Sequence, residues 1–436
     1  MYLRRSKYKV THVVYSEWQS LFKGSLLAYL VGLYLISFYL ELHLRKPILA
    51  EIRFQFLFGA VVGALCFFKL FKQKINYPLT ALTKSALVMI GIMGIYTLYS
   101  FDPDTSSRVY SDRVLKFALV AFFIYSAVDK IEDLRVIVFS LFLVWLKLGQ
   151  EGIFGWASGN LMWENQGIMR LHGSTPMFRH PNSLSGFAVG CLPFCFFFYF
   201  ALQNRLFKWA ILGLSASCLL MILTTGSRTG YVALVLCFIV FIMSFKKYRL
   251  ALLLVGMTLS ILAYVSAPIQ YQERFHSIFT GEEREGRSSE TRLQIIQDAV
   301  KVFAEHPMGV GVGAFPSVRW NMFGRSQDTH NLYLEVLTNI GWIGFISFSF
   351  FIFYLLKVAI TTSRKNAASS FDDSSRTFIQ ATLYSCLGFI FARLFLGLFG
   401  MDMYEIYWWL AMGLILACLK LLYIKDGAPE KLRRRQ

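Results

Sequence analysis

A histidine and an arginine stand where long apolar runs of the chain begin or end. His330 directly precedes one apolar run, and Arg228 lies in a very short polar stretch between two others. A neutral imidazole, with a reference pKa of about 6.5, accepts protons near neutral pH. A guanidinium binds phosphate in a bidentate manner that lysine does not reproduce. These residue types predict general-base chemistry beside an anionic ligand.

Three more arginines are candidates for the same chemistry. Arg292 lies in the one long polar segment, Arg179 precedes an apolar run, and Arg393 lies inside one. An ionised side chain at membrane depth is a functional hypothesis by default. The alternatives stay open: Arg179 as an interfacial anchor, Arg292 in a surface salt bridge, and Arg393 in a buried pair with Asp402 or Glu405.

The role of His330 has alternatives of the same kind. Asp328, Asn331 or Glu335 could orient the imidazole as a base. The histidine could instead cap the helix that follows it. Arg228 could extend its charged group into the lipid headgroup region, as arginines near helix ends do. The shortness of its turn favours a specific role for this arginine instead.

Two short motifs resemble known sites without their full pattern. Asp102-Pro103-Asp104 places two carboxylates beside each other, which is compatible with a divalent metal, but the proline favours a turn. The stretch Gly309–Gly313 lacks the spacing of a phosphate-binding loop and predicts a flexible turn. The sequence contains no Walker motif, no His-Glu-x-x-His and no Gly-x-Ser-x-Gly. It therefore gives no support to ATP-driven transport or zinc proteolysis.

The composition is that of a membrane protein. Hydrophobic residues make up 56% of the 436 residues, while charged residues make up 16%, against roughly 25% in soluble domains. Apolar runs of about 20 residues, long enough to span a bilayer, recur along the chain. They predict an all-α polytopic fold with about twelve transmembrane helices. Their approximate centres are Leu33, Gly63, Gly91, Val120, Phe142, Gly190, Ser215, Leu236, Thr258, Phe348, Gly388 and Gly413.

The formal charge of +18 follows from membrane orientation better than from nucleic-acid binding. Most Lys and Arg residues fall in alternate loops, which the positive-inside rule assigns to the cytoplasm. The segment that contains Arg292 and His330 then faces the other side, together with Arg179 and Arg228. All seven cysteines lie in apolar runs, so we expect neither a disulfide scaffold nor a zinc site.

The runs divide the chain into four regions. We predict a transmembrane bundle of about nine spans over 1–267 and an extracytoplasmic loop over 268–330. About three C-terminal spans follow over 331–424, and then a basic cytoplasmic tail over 425–436. Within the loop, an amphipathic helix is predicted from Glu290 to Glu305 and ends at a proline. Its apolar stripe consists of Leu293, Ile296, Val300 and Phe303.

A spaced set of motifs in the second half of the chain resembles the O-antigen ligase and polymerase superfamily of bacterial membrane glycosyltransferases. The set contains, in order, Thr225-Gly226-Ser227-Arg228, the stretch from Arg292 to Ala299, Phe303 to Gly311, His330-Asn331-Leu332-Tyr333-Leu334 and Gly341-Trp342-Ile343-Gly344. The resemblance implies a GT-C-like fold with one large periplasmic loop. Outside this set, only the arrangement of many spans is similar.

The resemblance also implies a function and roles for single residues. Arg228 and Arg292 match arginines that bind the diphosphate of an undecaprenyl-linked glycan donor. His330 matches the histidine that activates the acceptor hydroxyl, while Arg179 and Arg393 have no equally clear counterpart. Transfer would be inverting and metal-independent, without a cofactor, at the periplasmic face of the bacterial inner membrane, in lipopolysaccharide and polysaccharide biosynthesis of the cell envelope.

The acceptor does not follow from the resemblance. A lipid A core would make the protein a ligase, a growing glycan would make it a polymerase, and a protein hydroxyl would make it an O-glycosylating enzyme. A membrane transporter of an anionic solute is the alternative from another class. Each arginine would then line an anion path.

Overall fold

The computed structural model describes residues 19–72, 79–244, 249–280 and 288–426. Of the predicted basic tail 425–436, residues 427–436 lie outside the described residues. Helices dominate the described chain, and long apolar stretches of them expose large hydrophobic side chains. Such helices are stable where lipid rather than water covers them. The chain is an all-α polytopic membrane protein.

Every predicted span centre lies in a helix. Among the described residues, seven helices are long and apolar enough to cross a membrane by length and composition. Three further apolar helices are shorter. The two remaining centres, Val120 and Phe142, lie in the helices Lys116–Ala127 and Ile131–Ala157. Lys147 does not interrupt the second of these, because its ammonium pairs with Glu151 one turn further along.

The described residues form two compact units. We call residues Phe142–Ser289 the middle unit, and Ser20–Leu141 together with the chain from Glu290 onward the split unit. Beyond the end of Ile131–Ala157, the elements of the middle unit are the strands Met162–Asn165 and Ile168–Leu171, the 3-10 turn Pro176–Phe178, and the helices Pro181–Ala201, Arg205–Thr224, Arg228–Ser244, Arg249–Ser266 and Ile269–Thr280. Its core includes Phe194, whose ring packs edge-on against Trp145 at 5.1 Å.

The split unit is built around its last helix, Ile406–Asp426, which is buried along nearly its whole length. Two helices of this unit carry names below: the loop helix, Ser288–Glu305, and the kinked helix, Leu332–Ala367. Its remaining elements are Leu26–Tyr39, Leu42–Arg45, Pro47–Glu51, Phe54–Lys72, Ala81–Leu98, Pro103–Val109, the π-helical turn Tyr110–Leu115, Lys116–Ala127, the first part of Ile131–Ala157, Phe315–Phe323 and Asp373–Leu396.

A short antiparallel hairpin was not anticipated from the sequence. Its two strands pair Asn165 with Ile168 and Met162 with Leu171. Gln166 and Gly167, the two residues that join them, have φ of 58° and 72°. Two consecutive positive φ values are typical of the tight turns that match the twist of paired strands. The hairpin fixes the polar stretch that precedes Arg179.

The loop helix is confirmed, but it packs with a different face from the one that its apolar stripe suggests. Leu293 and Val300 of that stripe are 58% and 52% exposed. The buried side follows the same helical period one position away, with Ile295, Asp298, Ala299 and Val302. Because this side contains an aspartate, its apolar pattern is broken in the sequence, and the exposed stripe looks more regular.

The kinked helix bends at Gly341, which has φ of 60° and ψ of −164°. A side chain disfavours this backbone conformation. The stretch Gly309–Gly313, which we call the glycine segment, lies against the bend. Val310 and Gly311 donate backbone hydrogen bonds to the carbonyls of Thr338 and Asn339, at 2.9 and 2.8 Å. The predicted turn is therefore present, and its backbone is held in place rather than free.

Candidate functional site

Arg228 begins the helix Arg228–Ser244, and Thr225, Gly226 and Ser227 separate it from the helix before. We call the stretch Thr224–Gly230, which contains this turn and Arg228, the arginine turn. Gly226 supplies a left-handed φ of 59°. The hydroxyl of buried Ser227 accepts a hydrogen bond from the Gly230 amide at 3.3 Å. Arg228 itself is half-buried. A guanidinium beside a helix N-terminus combines two features that favour an anion.

Two buried arginines support the arginine turn from neighbouring elements. Arg170, on the second hairpin strand, donates from Nε to the carbonyl of Thr225 at 2.6 Å and from Nη2 to Asn182 Oδ1 at 2.8 Å. Arg274 donates from Nε to the carbonyl of Gly226 at 3.3 Å. Their exposures of 1% and 7% mark them as interior groups. The carbonyls of Thr225 and Gly226, the two residues before Ser227, are therefore held by guanidinium donors.

Neither supporting arginine was predicted from the sequence. Arg170 lies nine positions before Arg179 in the same polar stretch, and only Arg179 was predicted as a site residue. In the structure, Arg170 contacts the arginine turn, whereas the Arg179 side chain is exposed. The available signal was Gly167, which lies between two short segments with large apolar side chains and indicates a turn.

His330 lies at the junction that leads into the kinked helix. Its φ of 47° is unusual for a residue with a side chain and typical of constrained functional positions. The helix is capped by Asn331, whose Oδ1 accepts from the amides of Tyr333 and Leu334 at 3.0 and 3.1 Å. Capping, one of the alternatives for His330, thus belongs to its neighbour. The His330 imidazole is therefore not the cap of this helix.

Three residues named as possible partners of His330 are occupied elsewhere. The amide nitrogen of Asn331 donates to the carbonyl of Leu398 at 3.0 Å. Glu335 is buried and accepts from the backbone amide of Met403 at 3.1 Å. Asp328 accepts from the amide of the following residue. These contacts anchor the junction and do not orient the imidazole ring.

The surroundings of His330 favour its neutral form. Desolvation by the surrounding protein lowers the pKa of His330 from its ordinary value, although the side chain keeps an exposed surface. The positive charges of Arg292 and Arg319 lower this pKa further. The structure therefore brings Arg292 into electrostatic range of His330. A neutral imidazole at neutral pH can accept a proton.

Arg319 belongs to a buried ion cluster that holds the segment before His330. Its Nε lies 2.9 Å from Asp298 Oδ2, and its Nη1 donates to the carbonyl of Gln327 at 3.0 Å. Arg325 reaches the other oxygen of Asp298 through Nη2 at 2.9 Å. Arg319 is fully buried, and Asp298 is 3% exposed. We call these three charged residues the Asp298 clamp, since they tie the loop helix to residues 319–327.

Arg393 and Asp102 also have structural partners. Arg393 Nη1 lies 3.5 Å from Asp402 Oδ2, and its guanidinium carbon lies 3.3 Å from the centre of the Tyr407 ring. The pair with Asp402 anticipated from the sequence is therefore present. Asp102 caps the helix Pro103–Val109 by accepting from the Thr105 amide at 3.1 Å, and it also accepts from the Ser317 hydroxyl.

The sequence-predicted residues fall into two groups. Arg179 and Arg228 belong to the middle unit, while Arg292, His330 and Arg393 belong to the split unit. Within the split unit, Arg292 and His330 are electrostatically coupled. Among the described residues, no group of three or more His, Cys, Asp or Glu side chains is arranged to hold a metal ion.

Comparison with known families identifies one domain. Residues 213–349 match the family model described as O-antigen ligase. The matched range contains the arginine turn, the loop helix, the glycine segment and His330. No curated protein sequence shows a significant match to the chain.

Proposed function

From the premise that this chain carries a domain of the O-antigen ligase superfamily, we propose that it transfers a glycan from an undecaprenyl-diphosphate carrier to an acceptor hydroxyl. The family supports an O-antigen ligase or polymerase type of function in the broad sense. Transfer to a lipid A core would define an O-antigen ligase in the strict sense. A growing glycan or a protein hydroxyl would define the related polymerase and O-glycosylating activities.

Each proposed role follows from the chemistry of one side chain. Arg228 and Arg292 bind the diphosphate of the donor, because guanidinium groups stabilise phosphate oxygens through paired hydrogen bonds. His330 takes the proton of the acceptor hydroxyl. Arg179 is exposed and is available to a mobile anionic group, whereas Arg393 acts through its pair with Asp402.

The reaction balances as a single displacement. The acceptor oxygen forms a bond to the anomeric carbon, while the bond from that carbon to the diphosphate oxygen breaks. The proton moves from the acceptor hydroxyl to His330, and the leaving polyprenyl diphosphate keeps the electron pair. One displacement inverts the anomeric configuration. The developing negative charge is what the two arginines stabilise, and no covalent enzyme intermediate or cofactor takes part.

The proposed setting is the periplasmic face of a bacterial inner membrane. The lipid tail of the donor requires contact with the bilayer, and the apolar helices provide it. The positive-inside arrangement of Lys and Arg supports a periplasmic position for residues 268–330. The donor and acceptor are the partners that this setting implies, and nucleic acid has no role in it.

One observation carries the proposal: the family match contains both Arg228 and His330, and the structure leaves the imidazole uncommitted to helix capping. A histidine with a lowered pKa that is spared from capping is suited to proton transfer. An arginine at a supported helix N-terminus is suited to a diphosphate.

The direct test uses purified protein with a lipid-linked oligosaccharide and three acceptors in parallel: lipid A core, free glycan and a Ser/Thr-containing protein. Transfer to lipid A core supports the ligase, and exclusive transfer to one of the others selects that activity instead. Solute flux into proteoliposomes without any covalent product would contradict the glycosyltransferase proposal and favour transport.

A further inference from the structure

A cleft with a mixed polar and apolar lining lies beside the arginine turn in the middle unit. Its volume is about 400 Å³, which lies within the range of roughly 300–1,000 Å³ typical of small-molecule sites. One wall is the helix Ile269–Thr280, which we call the cleft helix. Gln166 and Ile168 of the hairpin, together with Tyr264, complete the lining. None of these residues has a role in the proposed proton transfer.

The cleft helix turns one regular polar face to this space. Gln270, Glu273, Arg274 and Ser277 all line the cleft, and their spacing of i, i+3, i+4 and i+7 places them on one side of a helix. Small-molecule sites are usually lined mainly by apolar groups with a few polar ones. This cleft combines its amide, hydroxyl and carboxylate groups with an apolar surface of similar size from Ile168, Ile269 and Tyr264. Such a combination suits a ligand that has both hydroxyl groups and C–H surfaces.

The charges of the cleft argue against an anion as its ligand. The guanidinium of Arg274 already donates to the carbonyl of Gly226 and to the side-chain oxygen of Gln166. Glu273 adds a carboxylate, so these two adjacent side chains of the lining together carry no net positive charge that would attract a phosphate. Hydroxyl groups, in contrast, donate to carboxylate and amide oxygens and accept from amide N–H groups. The Tyr264 ring, 41% exposed, offers an apolar surface to the C–H groups of a sugar.

The cleft is linked to the proposed diphosphate site by Arg274. This residue lines the cleft and also holds the carbonyl of Gly226, two positions before Arg228. Tyr271, on the same helix, donates to the carbonyls of Met169 and Thr224 at 2.7 and 3.3 Å. The cleft wall and the arginine turn are thus one hydrogen-bonded structure. In a lipid-linked donor, the first sugar is bonded directly to the diphosphate.

We infer that this cleft is a saccharide subsite, which binds the sugars next to the diphosphate of the donor. The inference rests on the proposed function, because it requires a glycan linked to a polyprenyl diphosphate as the donor. The cleft helix supplies donors and acceptors for the sugar hydroxyls, and Tyr264 supplies the apolar wall. Selection of the glycan would then depend on residues of the middle unit.

The test compares two carriers with the full-length protein in detergent micelles. One probe is the undecaprenyl-diphosphate-linked glycan extracted from the host's membranes, and the other is undecaprenyl diphosphate without sugar. Gln270→Ala should raise the Kd for the glycan-bearing carrier about 3- to 10-fold, as expected for one lost hydrogen bond. It should leave the Kd for the sugar-free carrier unchanged, which also shows that the variant is folded.

Gln297→Ala is the matched control, because Gln297 is an exposed glutamine on the loop helix and should bind both carriers as the parent protein does. Arg228→Ala should weaken binding of both carriers. Equal effects of Gln270→Ala on the two carriers, or no effect on either, would overturn the saccharide subsite. Unchanged binding of both carriers by Arg228→Ala would instead overturn the diphosphate role of Arg228, and the ratio of the two Kd values for Gln270→Ala would still decide the cleft.

Discussion

The arginine turn of the middle unit and the segment before His330 in the split unit are held by the same kind of side chain in two different ways. In the first, buried Arg170 and Arg274 donate to main-chain carbonyls. In the second, buried Arg319 is paired with the carboxylate of Asp298. Both arrangements position a residue with a proposed chemical role, Arg228 in one and His330 in the other.

The difference shows that arginines in the polar segments of a membrane protein serve two purposes. Some are interior donors that hold the backbone, and others are accessible and suited to a ligand. Burial and partners separate the two kinds, whereas position in the sequence does not. A carbonyl partner is neutral, so losing the arginine leaves an unsatisfied dipole. A buried carboxylate such as Asp298 loses part of its charge compensation as well, which costs more free energy.

Among substitutions that test this difference between the two kinds of support, we expect the largest loss of stability at Arg319. Arg319→Ala leaves Asp298 buried with only Arg325, and removing one partner of a buried ion pair costs about 3–5 kcal/mol. Denaturant or thermal unfolding in detergent micelles would measure the loss. Arg325→Ala is the control, because its side chain is 36% exposed and its removal should cost about 1 kcal/mol or less. Equal losses in the two variants would show that the Asp298 clamp does not depend on burial.

The glycine segment is the next most sensitive point. Gly311 has φ of 117°, and a Cβ added there would lie 2.7 Å from the Cα atom of Ser100. Backbone strain and overpacking together give an expected loss of about 2–4 kcal/mol for Gly311→Ala. Gly324→Ala shares the positive φ, at 67°, but meets nothing within 4 Å, so it should cost about 1–2 kcal/mol. The opposite ranking in an unfolding experiment would contradict this packing.

Arg170 should be less costly to remove than Arg319. Arg170→Met keeps much of the side-chain volume but leaves the Thr225 carbonyl and the Asn182 amide oxygen without this donor, which costs about 1–3 kcal/mol. Carrier binding should also weaken, because the arginine turn loses its support. Arg179→Met, at an exposed position in the same stretch, should change the free energy of unfolding by about 0.5 kcal/mol at most. A larger loss at Arg179 than at Arg170 would reverse the assignment of the interior arginine.

The smallest effect concerns the pH dependence of transfer. The neutral form of His330 is the base, and its pKa lies below the ordinary value of 6.5. Transfer should therefore persist below pH 6.5 and fall as the pH drops through the lowered pKa. Arg292→Gln removes one of the charges that lower this pKa, so the fall should move to higher pH. Rates at saturating donor would show it, and an unmoved profile would disprove the coupling between Arg292 and His330.

Much of the fold could be predicted because apolar runs long enough to span a membrane leave little choice of structure. The end of the loop helix at Glu305 could also be predicted, since Pro307 cannot continue a helix. The packing face of that helix was not readable. At a membrane surface, an apolar stripe such as Leu293 and Val300 is stable in contact with either lipid or protein, so its pattern does not reveal which side is buried.

The sequence indicates which residue types could form the candidate site, but it does not indicate the side chains that support them. His330 and Arg228 stand out because polar groups are rare at the ends of apolar runs. Arg170 and Arg274 do not, because their burial depends on a hairpin with strands of four residues and on a short helix. Contacts made across such elements depend on tertiary structure, and local sequence contains little information about them.

The role of His330 as the general base is tested by comparing glycan transfer by His330→Ala with that by the parent protein. Both proteins receive the lipid-linked glycan and the acceptor that the parent uses. Loss of a general base should lower the rate about 10²- to 10⁴-fold, while carrier binding and the unfolding temperature remain those of the parent. Full transfer by a folded His330→Ala protein would show that His330 is not the general base.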